Sequence, residues 1–416
     1  MPPLNIAIIG AGPAGCMLAR LLLEAQLTST ALKHTITIFE AEDSPNFRAQ
    51  GGTLDLHPKT GLAAIKAAGL YFKFLEHARF DGSAMRICDK NLKTWFKLSA
   101  SDDGNPEIDR LQLRRMLLKA LPEGTVKWGH KVMDVFSGDR GEGMELFFEN
   151  RPPRGNFSLV IGADGGWSRT RQCVDKVQRP IFSGIAKFAL TVPRDEARKP
   201  DMQKMINRGS LFAFGDGKSI SGQQLGEGGI DVGLFVQFDD IPDKALEKEE
   251  VEALFADWSP ELRDLVAKAE MEMKIYNLHH LPEGYRWEHK EGLTLLGDAA
   301  HLMTPFAGEG VNLAFDDAMK LSEAIIQGAE KGHEALDANI KAFEKDMFSR
   351  AVHAQRMTQG MMADMFFTKG APRSSMQNWL LRRVSFDMRE NWWAPIAYPF
   401  LCAAFFGGYS ILRLFY

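Results

Sequence analysis

Asn5-Ile6-Ala7-Ile8-Ile9-Gly10-Ala11-Gly12-Pro13-Ala14-Gly15 opens the chain with a β-branched apolar run that breaks into glycines. The run predicts a strand, Cys16–Ala25 reads as a helix, and Thr35–Phe39 predicts a second strand that ends on Glu40. The longer stretch around Leu27–His34 reads as a surface loop between them. Each glycine has a separate use in a strand–turn–helix unit. Gly10 allows the tight turn, Gly12 lets the backbone approach a pyrophosphate, and Gly15 lets helix and strand pack closely. Phosphates then sit on the positive N-terminus of the helix that Pro13 and Ala14 open. A carboxylate at Glu40 can accept hydrogen bonds from both ribose hydroxyls of an adenosine. A chance glycine-rich turn does not account for strand, helix and strand-end acid together, so a dinucleotide-binding βαβ unit is the expectation.

Two later segments repeat the strand-into-glycine pattern. Leu159–Ile161 runs into Gly162-Ala163-Asp164-Gly165-Gly166, and Leu293–Leu296 runs into Gly297-Asp298-Ala299-Ala300-His301. Between them Ser210–Phe214 and Asp231–Phe238 alternate apolar and polar residues, as half-buried antiparallel strands do. An acidic, helix-forming stretch, Lys244–Trp258, interrupts that region. After Gly310 the apolar residues Val311, Phe315, Ala318, Met319, Leu321 and Ile325 fall near one helix face. The expected fold is α/β: a Rossmann-like cofactor-binding domain from residues 1–174 and 291–360, which can include part of the substrate sheet. A sheet-rich substrate domain at 175–290 is inserted, and a C-terminal helical and apolar segment covers 361–416.

The run Gly297–His301 followed by Pro305-Phe306-Ala307-Gly308-Glu309-Gly310-Val311-Asn312 says which dinucleotide to expect. Asp298 ends a buried strand, where a carboxylate can bind the ribityl hydroxyls of a flavin. Gly308 and Gly310 let backbone lie flat against an isoalloxazine ring where a Cβ would clash. The helix starting near Val311 aims its positive end at the pyrimidine edge of that ring, favouring the reduced cofactor.

This run resembles the second FAD fingerprint of the flavin hydroxylases that include 4-hydroxybenzoate hydroxylase. Ala163-Asp164-Gly165 is similar to their central Asp-Gly motif, associated with FAD and NAD(P)H. Within that group the chain looks most like the tetracycline-inactivating flavin monooxygenases. The shared segments are Gly51-Gly52-Thr53-Leu54-Asp55-Leu56-His57, Asn105-Pro106-Glu107-Ile108-Asp109-Arg110 and Gly297–Asn312, over about the first 350 residues with gaps. The resemblance implies that Asp55, Arg110 and Asp298 contact FAD and that Arg48 is linked to NADPH, with Gly52 in the same segment. It further implies that NAD(P)H reduces FAD, O₂ adds at the flavin C(4a) position, and one oxygen passes to a sizeable, mostly apolar small molecule. The stretch Lys187–Gln224 aligns poorly with that family and the part after about Met361 departs from it, so tetracycline is not inherited as the substrate.

Composition fits this reading. The chain has 416 residues, 45% of them apolar, and a formal net charge of −4. No Lys/Arg block offers a footprint for nucleic acid. Four scattered cysteines without a C-x-x-C pair suggest neither disulfides nor a zinc site and favour a reducing, cytoplasmic setting. No Ser-His-Asp set, metal cluster or Walker loop stands out, so the expected catalytic residues are none and the chemistry belongs to the cofactor. Rival readings are an FAD-dependent oxidase, reductase or halogenase on the same scaffold, or a flavoprotein that sequesters a small molecule without turnover. The W-x-W-x-I-P motif of halogenases is absent from the sequence. His301 reads as packed behind the flavin, His279-His280 as a surface pair, and Met361, Met362 and Met365 as core. Ala394–Leu412 carries no charge and approaches the length of a membrane span, but Pro395, Pro399 and Gly407-Gly408 interrupt it. A membrane contact and a lid over the substrate are both open readings of that tail, with the lid favoured.

Overall fold

A computed structural model describes residues 3–28, 33–45, 51–80, 82, 84–99, 105–138, 143–242, 246–270 and 273–389, with 397, 399–400, 402–404 and 407. Arg48, half of the Leu27–His34 loop and most of the apolar tail lie outside the described residues. Among the described residues no helix is long and apolar enough to cross a membrane.

The chain divides into two units. One takes Met1–Arg79, Asn105–Ile181 and His279–Val352; the other takes Phe80–Gly104, Phe182–Leu278 and His353–Tyr416.

In the first unit five strands form one sheet in the order Leu293–Leu295, Leu159–Gly162, Asn5–Ile9, Thr35–Phe39, Val126–Lys127. Every neighbouring pair is parallel. Parallel strands covered on both faces read as continuous apolar runs, and Asn5–Ile9 shows why. Ile6 and Ile8 enter a core with Met17, Leu18 and Leu22 of the Pro13–Thr28 helix and Phe315, Leu321 and Ile325 of the Gly310–Lys331 helix. Ala7 and Ile9 enter a second core with Val135, Leu146 and Phe157. Those three residues belong to an antiparallel sheet of Val132–Ser137, Met144–Phe148 and Arg151–Phe157. The first of these helices begins earlier than expected, because Pro13, with no N–H to lose, suits the first helical turn, while the second begins beside Val311 as expected.

The second unit is built on a seven-stranded sheet. Its order is Lys274–His280, Ile181–Val192, Ile230–Gln237, Lys218–Gln224, Ser210–Gly215, Met85–Asp89, Thr94–Leu98. Its central strands are antiparallel, and Ser210–Gly215 runs parallel to Met85–Asp89. Val251, Phe255, Leu262 and Leu265, in and beside the short helices Lys248–Ala253 and Pro260–Ala267, cover one face at Leu211, Ile220, Val232 and Leu234. The other face is closed in part as well. The Phe366 ring packs against Phe214 and Phe235, at 5.6 and 6.3 Å between centroids. Ile230–Gln237 is therefore buried at all but its last position, where alternation predicts a half-exposed strand. Phe366 and Met365 lie in a π-helical turn, Ala363–Phe367, that follows the helix His333–Met362; Met361, Met362 and Met365 are buried there.

Candidate active site

The expected site residues of the first unit gather where its parallel strands end. In open α/β sheets the carboxyl ends of the strands, at the point where strand order reverses, are where ligands bind. Asn5–Ile9 is that central strand, with neighbours on both sides from different parts of the chain.

The three glycines of the first turn are separated by what a side chain would meet. At Gly10, with φ +106°, a Cβ would stand 2.4 Å from the Ala163 carbonyl oxygen. At Gly15 it would stand 2.2 Å from the Gly10 oxygen and 3.2 Å from Ile8, so helix and strand touch there. At Gly12 it would meet no protein atom within 4 Å. Glu40 sits beside this turn. One of its carboxylate oxygens accepts from the Ala11 N–H at 2.6 Å and the other from the Glu42 N–H at 2.9 Å. Nearby, Glu42 and Arg114 form an ion pair at 2.6 Å that is almost fully buried.

Asp164 spends its carboxylate within the protein. It accepts from Ser168 Oγ at 2.5 Å, from the N–H groups of Arg169 and Thr170 at 2.8 and 3.1 Å, and from Thr170 Oγ1 at 3.1 Å. It thereby caps the helix Arg169–Val174 and fixes the turn through Gly165, φ +79°. That helix carries Arg171, which the sequence reading passed over. Its buried guanidinium donates to the carbonyl oxygens of Gly166 and Ala299 and binds the Asp-Gly loop to the Gly297–His301 loop.

Gly297 (φ +61°) lies against Ala14, 3.2 Å from where its Cβ would be, so the second fingerprint meets the first. Asp298 follows it and starts the short helix Asp298–His301. No hydrogen-bond partner holds its carboxylate among the described residues. The group is solvent-exposed yet set in a recess of the protein, and that desolvation raises its pKa above the ordinary carboxylate range. His301, Arg110 and Arg171 pull in the opposite direction. His301 itself is buried and bonded through Nε2 to Asp317 at 2.6 Å. Arg110 is the exposed first residue of the helix Arg110–Lys119, and its N–H donates to the Gly52 carbonyl at 3.1 Å.

Asn312 joins the remaining pieces. Fully buried, it accepts from the His57 N–H at 2.8 Å through Oδ1 and donates through Nδ2 to the carbonyls of Asp55, at 3.0 Å, and Gly308, at 3.3 Å. The strand Thr53–Asp55 is thereby fixed to the turn that runs from Pro305–Ala307 through Gly308 (φ +71°) into the Gly310–Lys331 helix. Gly308 faces Asp55 Oδ1, and a Cβ added at Gly310 would meet no protein atom within 4 Å. Gly310, Val311 and Asn312 form the first turn of a long helix, whose leading N–H groups have no partner within the helix.

Three of the four cysteine thiols are poor nucleophiles. Burial pushes the thiols of Cys16, Cys88 and Cys173 up to about 12. His280 Nδ1 lies 2.9 Å from the Leu281 carbonyl, and the His279 ring packs edge-on against the exposed Trp167 at 5.0 Å.

A family model described as FAD binding domain matches residues 4–359. The chain belongs to the FAD binding domain family. Monooxygenase penA of Penicillium thymicola is 31% identical over 410 residues, spanning 85% of this chain and 93% of that protein. Monooxygenase asqM of Emericella nidulans is 30% identical over 426 residues, spanning 85% and 94%. The solved structure of tetracycline destructase Tet(51) shares the fold, with a TM-score of 0.69 at 18% identity over 94% of this chain and 98% of that one. This flavoprotein is an FAD-dependent monooxygenase of the aromatic-hydroxylase type, with the expected two-part architecture. The residues present fit FAD: at Gly12 and Gly310 a Cβ would extend into open space, and Asp298 presents an unbonded carboxylate at a strand end.

Proposed function

We propose that this flavoprotein uses NAD(P)H and O₂ to place one oxygen atom on a sizeable, mostly apolar small molecule, releasing NAD(P)⁺ and water. The observation that carries the assignment of the cofactor site is Asp298, an unpartnered carboxylate in a recess beside Arg110, at the carboxyl edge of the parallel sheet. Its exposed oxygens are open to a ligand, and the ribityl hydroxyls of FAD are suitable donors.

The other roles follow from position. Gly12, Pro13 and Ala14 receive the pyrophosphate at the helix N-terminus, with Arg110 supplying positive charge. Glu40 keeps lone pairs for the adenosine ribose beyond its two backbone bonds. Gly308, Gly310, Val311 and Asn312 would hold the flavin ring, and the helix N–H groups there would favour negative charge on it. Asp55 and Gly52 would contact the same cofactor, and Arg48 would meet NADPH. Bound FAD supplies the redox step, accepting hydride from NAD(P)H and activating O₂.

For the substrate we favour the second unit. The sheet face turned away from Leu211, Ile220 and Leu234 carries Phe212, Phe214 and Phe235, with Ser219 and Ser221 between them in register. That mixture suits a large aromatic or polyketide-like molecule carrying oxygen substituents.

The test is a screen of polycyclic phenols and polyketides for stimulated NADPH and O₂ consumption. A productive compound should gain the mass of one oxygen. Tight binding of such compounds without any NADPH consumption or product would identify a sequestering protein and overturn the proposal.

A further inference from the structure

His57 lies between two carboxylates at the turn assigned to the flavin ring. Its Nε2 is 2.9 Å from Asp55 Oδ2, and its Nδ1 is 3.6 Å from Glu309 Oε2. The His57 ring is 15% exposed and the Glu309 carboxylate 8%, so solvent screens the second contact little. Asp55 ends the strand Thr53–Asp55, while Glu309 stands between the two glycines of the Gly308–Gly310 turn. One imidazole therefore spans the same two pieces that Asn312 joins through their backbones, and adds a charge-dependent link to that neutral one.

We infer that His57 is a positioning residue whose imidazolium clamps the Gly308–Gly310 turn to the Asp55 strand, so that FAD retention depends on its protonation. The inference rests on the assignment of this turn to the flavin. A protonated imidazole donates to Asp55 and, through its charge, attracts Glu309 across 3.6 Å at the same time. A neutral ring can donate to only one of them, and its charge attraction to the other is lost.

The surroundings favour the charged form. Burial alone lowers the His57 pKa, but hydrogen bonding and charge from Asp55 and Glu309 outweigh it and raise the group to about 9. Across the strand pair, Glu107 stands opposite Asp55, bonded to Arg79 at 2.9 Å, with Asp109 two residues on. On the loop of His57 itself the nearest cation in sequence is the exposed Lys59. Because the folded pKa lies above the ordinary histidine value of 6.5, the clamp is complete below that value and is lost as pH rises through about 9.

The experiment measures FAD dissociation from the reconstituted full-length protein by flavin fluorescence, from about pH 6.5 to about 9.5, beside a histidine NMR titration. In the wild type affinity should fall about tenfold across that range. His57→Gln should start about tenfold weaker and show no slope. Glu309→Gln, which preserves size, should move the wild-type transition to lower pH. A flat wild-type curve, an unchanged slope in His57→Gln, or an NMR pKa at or below the ordinary value would overturn the clamp while leaving the flavin site intact. A wild-type protein that binds no FAD at any pH would overturn both.

Discussion

The guanidinium of Arg171 donates a 3.0 Å hydrogen bond to the carbonyl oxygen of Ala299, 128 residues away in sequence. A buried cation thereby holds two cofactor loops by their backbones, and no carboxylate forms a salt bridge with it among the described residues. Replacing it by methionine fills much of the space but leaves the Gly166 and Ala299 carbonyls unpaired. Arg171→Met should cost about 2–6 kcal/mol in urea denaturation, since each of the two unsatisfied groups costs about 1–3 kcal/mol. It should also weaken FAD retention; a variant as stable as wild type would show that the link carries little.

Gly10 and Gly12 should respond differently to the same substitution. Gly10→Ala puts a Cβ 2.4 Å from the Ala163 oxygen at a φ of +106°, so soluble folded protein should be lost. Gly12→Ala meets no protein atom, so the apoprotein should melt like wild type. Its FAD affinity should nonetheless fall tenfold or more, about 1.4 kcal/mol, because the new methyl group occupies the approach of the pyrophosphate. Soluble yield checks the first outcome, and isothermal titration of FAD into the Gly12→Ala and wild-type apoproteins checks the second.

Asp298→Ala should lose about 1.5–3 kcal/mol of FAD affinity, the worth of a hydrogen bond to a charged group. Its apoprotein should melt like wild type, because the exposed carboxylate has no hydrogen-bond partner among the described residues. Equal flavin retention in both proteins would remove Asp298 from the ribityl chain.

Asp317 contrasts with Asp298. Burial alone would raise its pKa, yet His301 at 2.6 Å and Arg350 at 2.8 Å hold it below the ordinary range. Its contribution is present above the ordinary carboxylate value of 3.8 and disappears as pH falls below it. Asp317→Asn should therefore cost about 3–5 kcal/mol at pH 7, the penalty for leaving buried charges without their partner. It should also flatten the acid limb of the stability–pH curve, as chemical denaturation at several pH values will show.

Much of the cofactor unit was readable because backbone geometry restricts residue choice at its turns. Gly10, Gly15, Gly297 and Gly308 stand where a positive φ or a close approach leaves little alternative to glycine, and such positions mark themselves in a sequence. Asp298, Asn312 and the strand ends followed from their spacing to those glycines. Arg171, the Glu42–Arg114 pair, the Asp317–His301 bond and the position of His57 between two acids did not. Each depends on a partner that only the folded chain brings near, and an isolated Arg or His in a sequence usually lies on the surface. Met85–Leu98 also gave no local sign of joining the second unit. Its register with Ser210–Gly215 is set by a segment more than a hundred residues away. Asp164, expected as a cofactor contact, spends both carboxylate oxygens on Ser168 and on the first turn of its own helix, a use that the glycines around it did not announce.

The strand pairing of the first unit also constrains how the chain can be made. Ile161 pairs with Thr294 and Ile8 with Ile161, so the sheet of the first unit is incomplete until nearly three quarters of the polypeptide exists. At about 5–20 residues per second, the strand Leu159–Gly162 keeps an open edge on the order of ten seconds during translation. Open apolar edges recruit other chains. Slower synthesis or cooler growth lengthens that wait as well as the time for correct pairing, so yield should depend on chaperone supply more than on codon speed alone. A product truncated before Leu293 should accumulate as aggregate even though it contains the whole glycine turn.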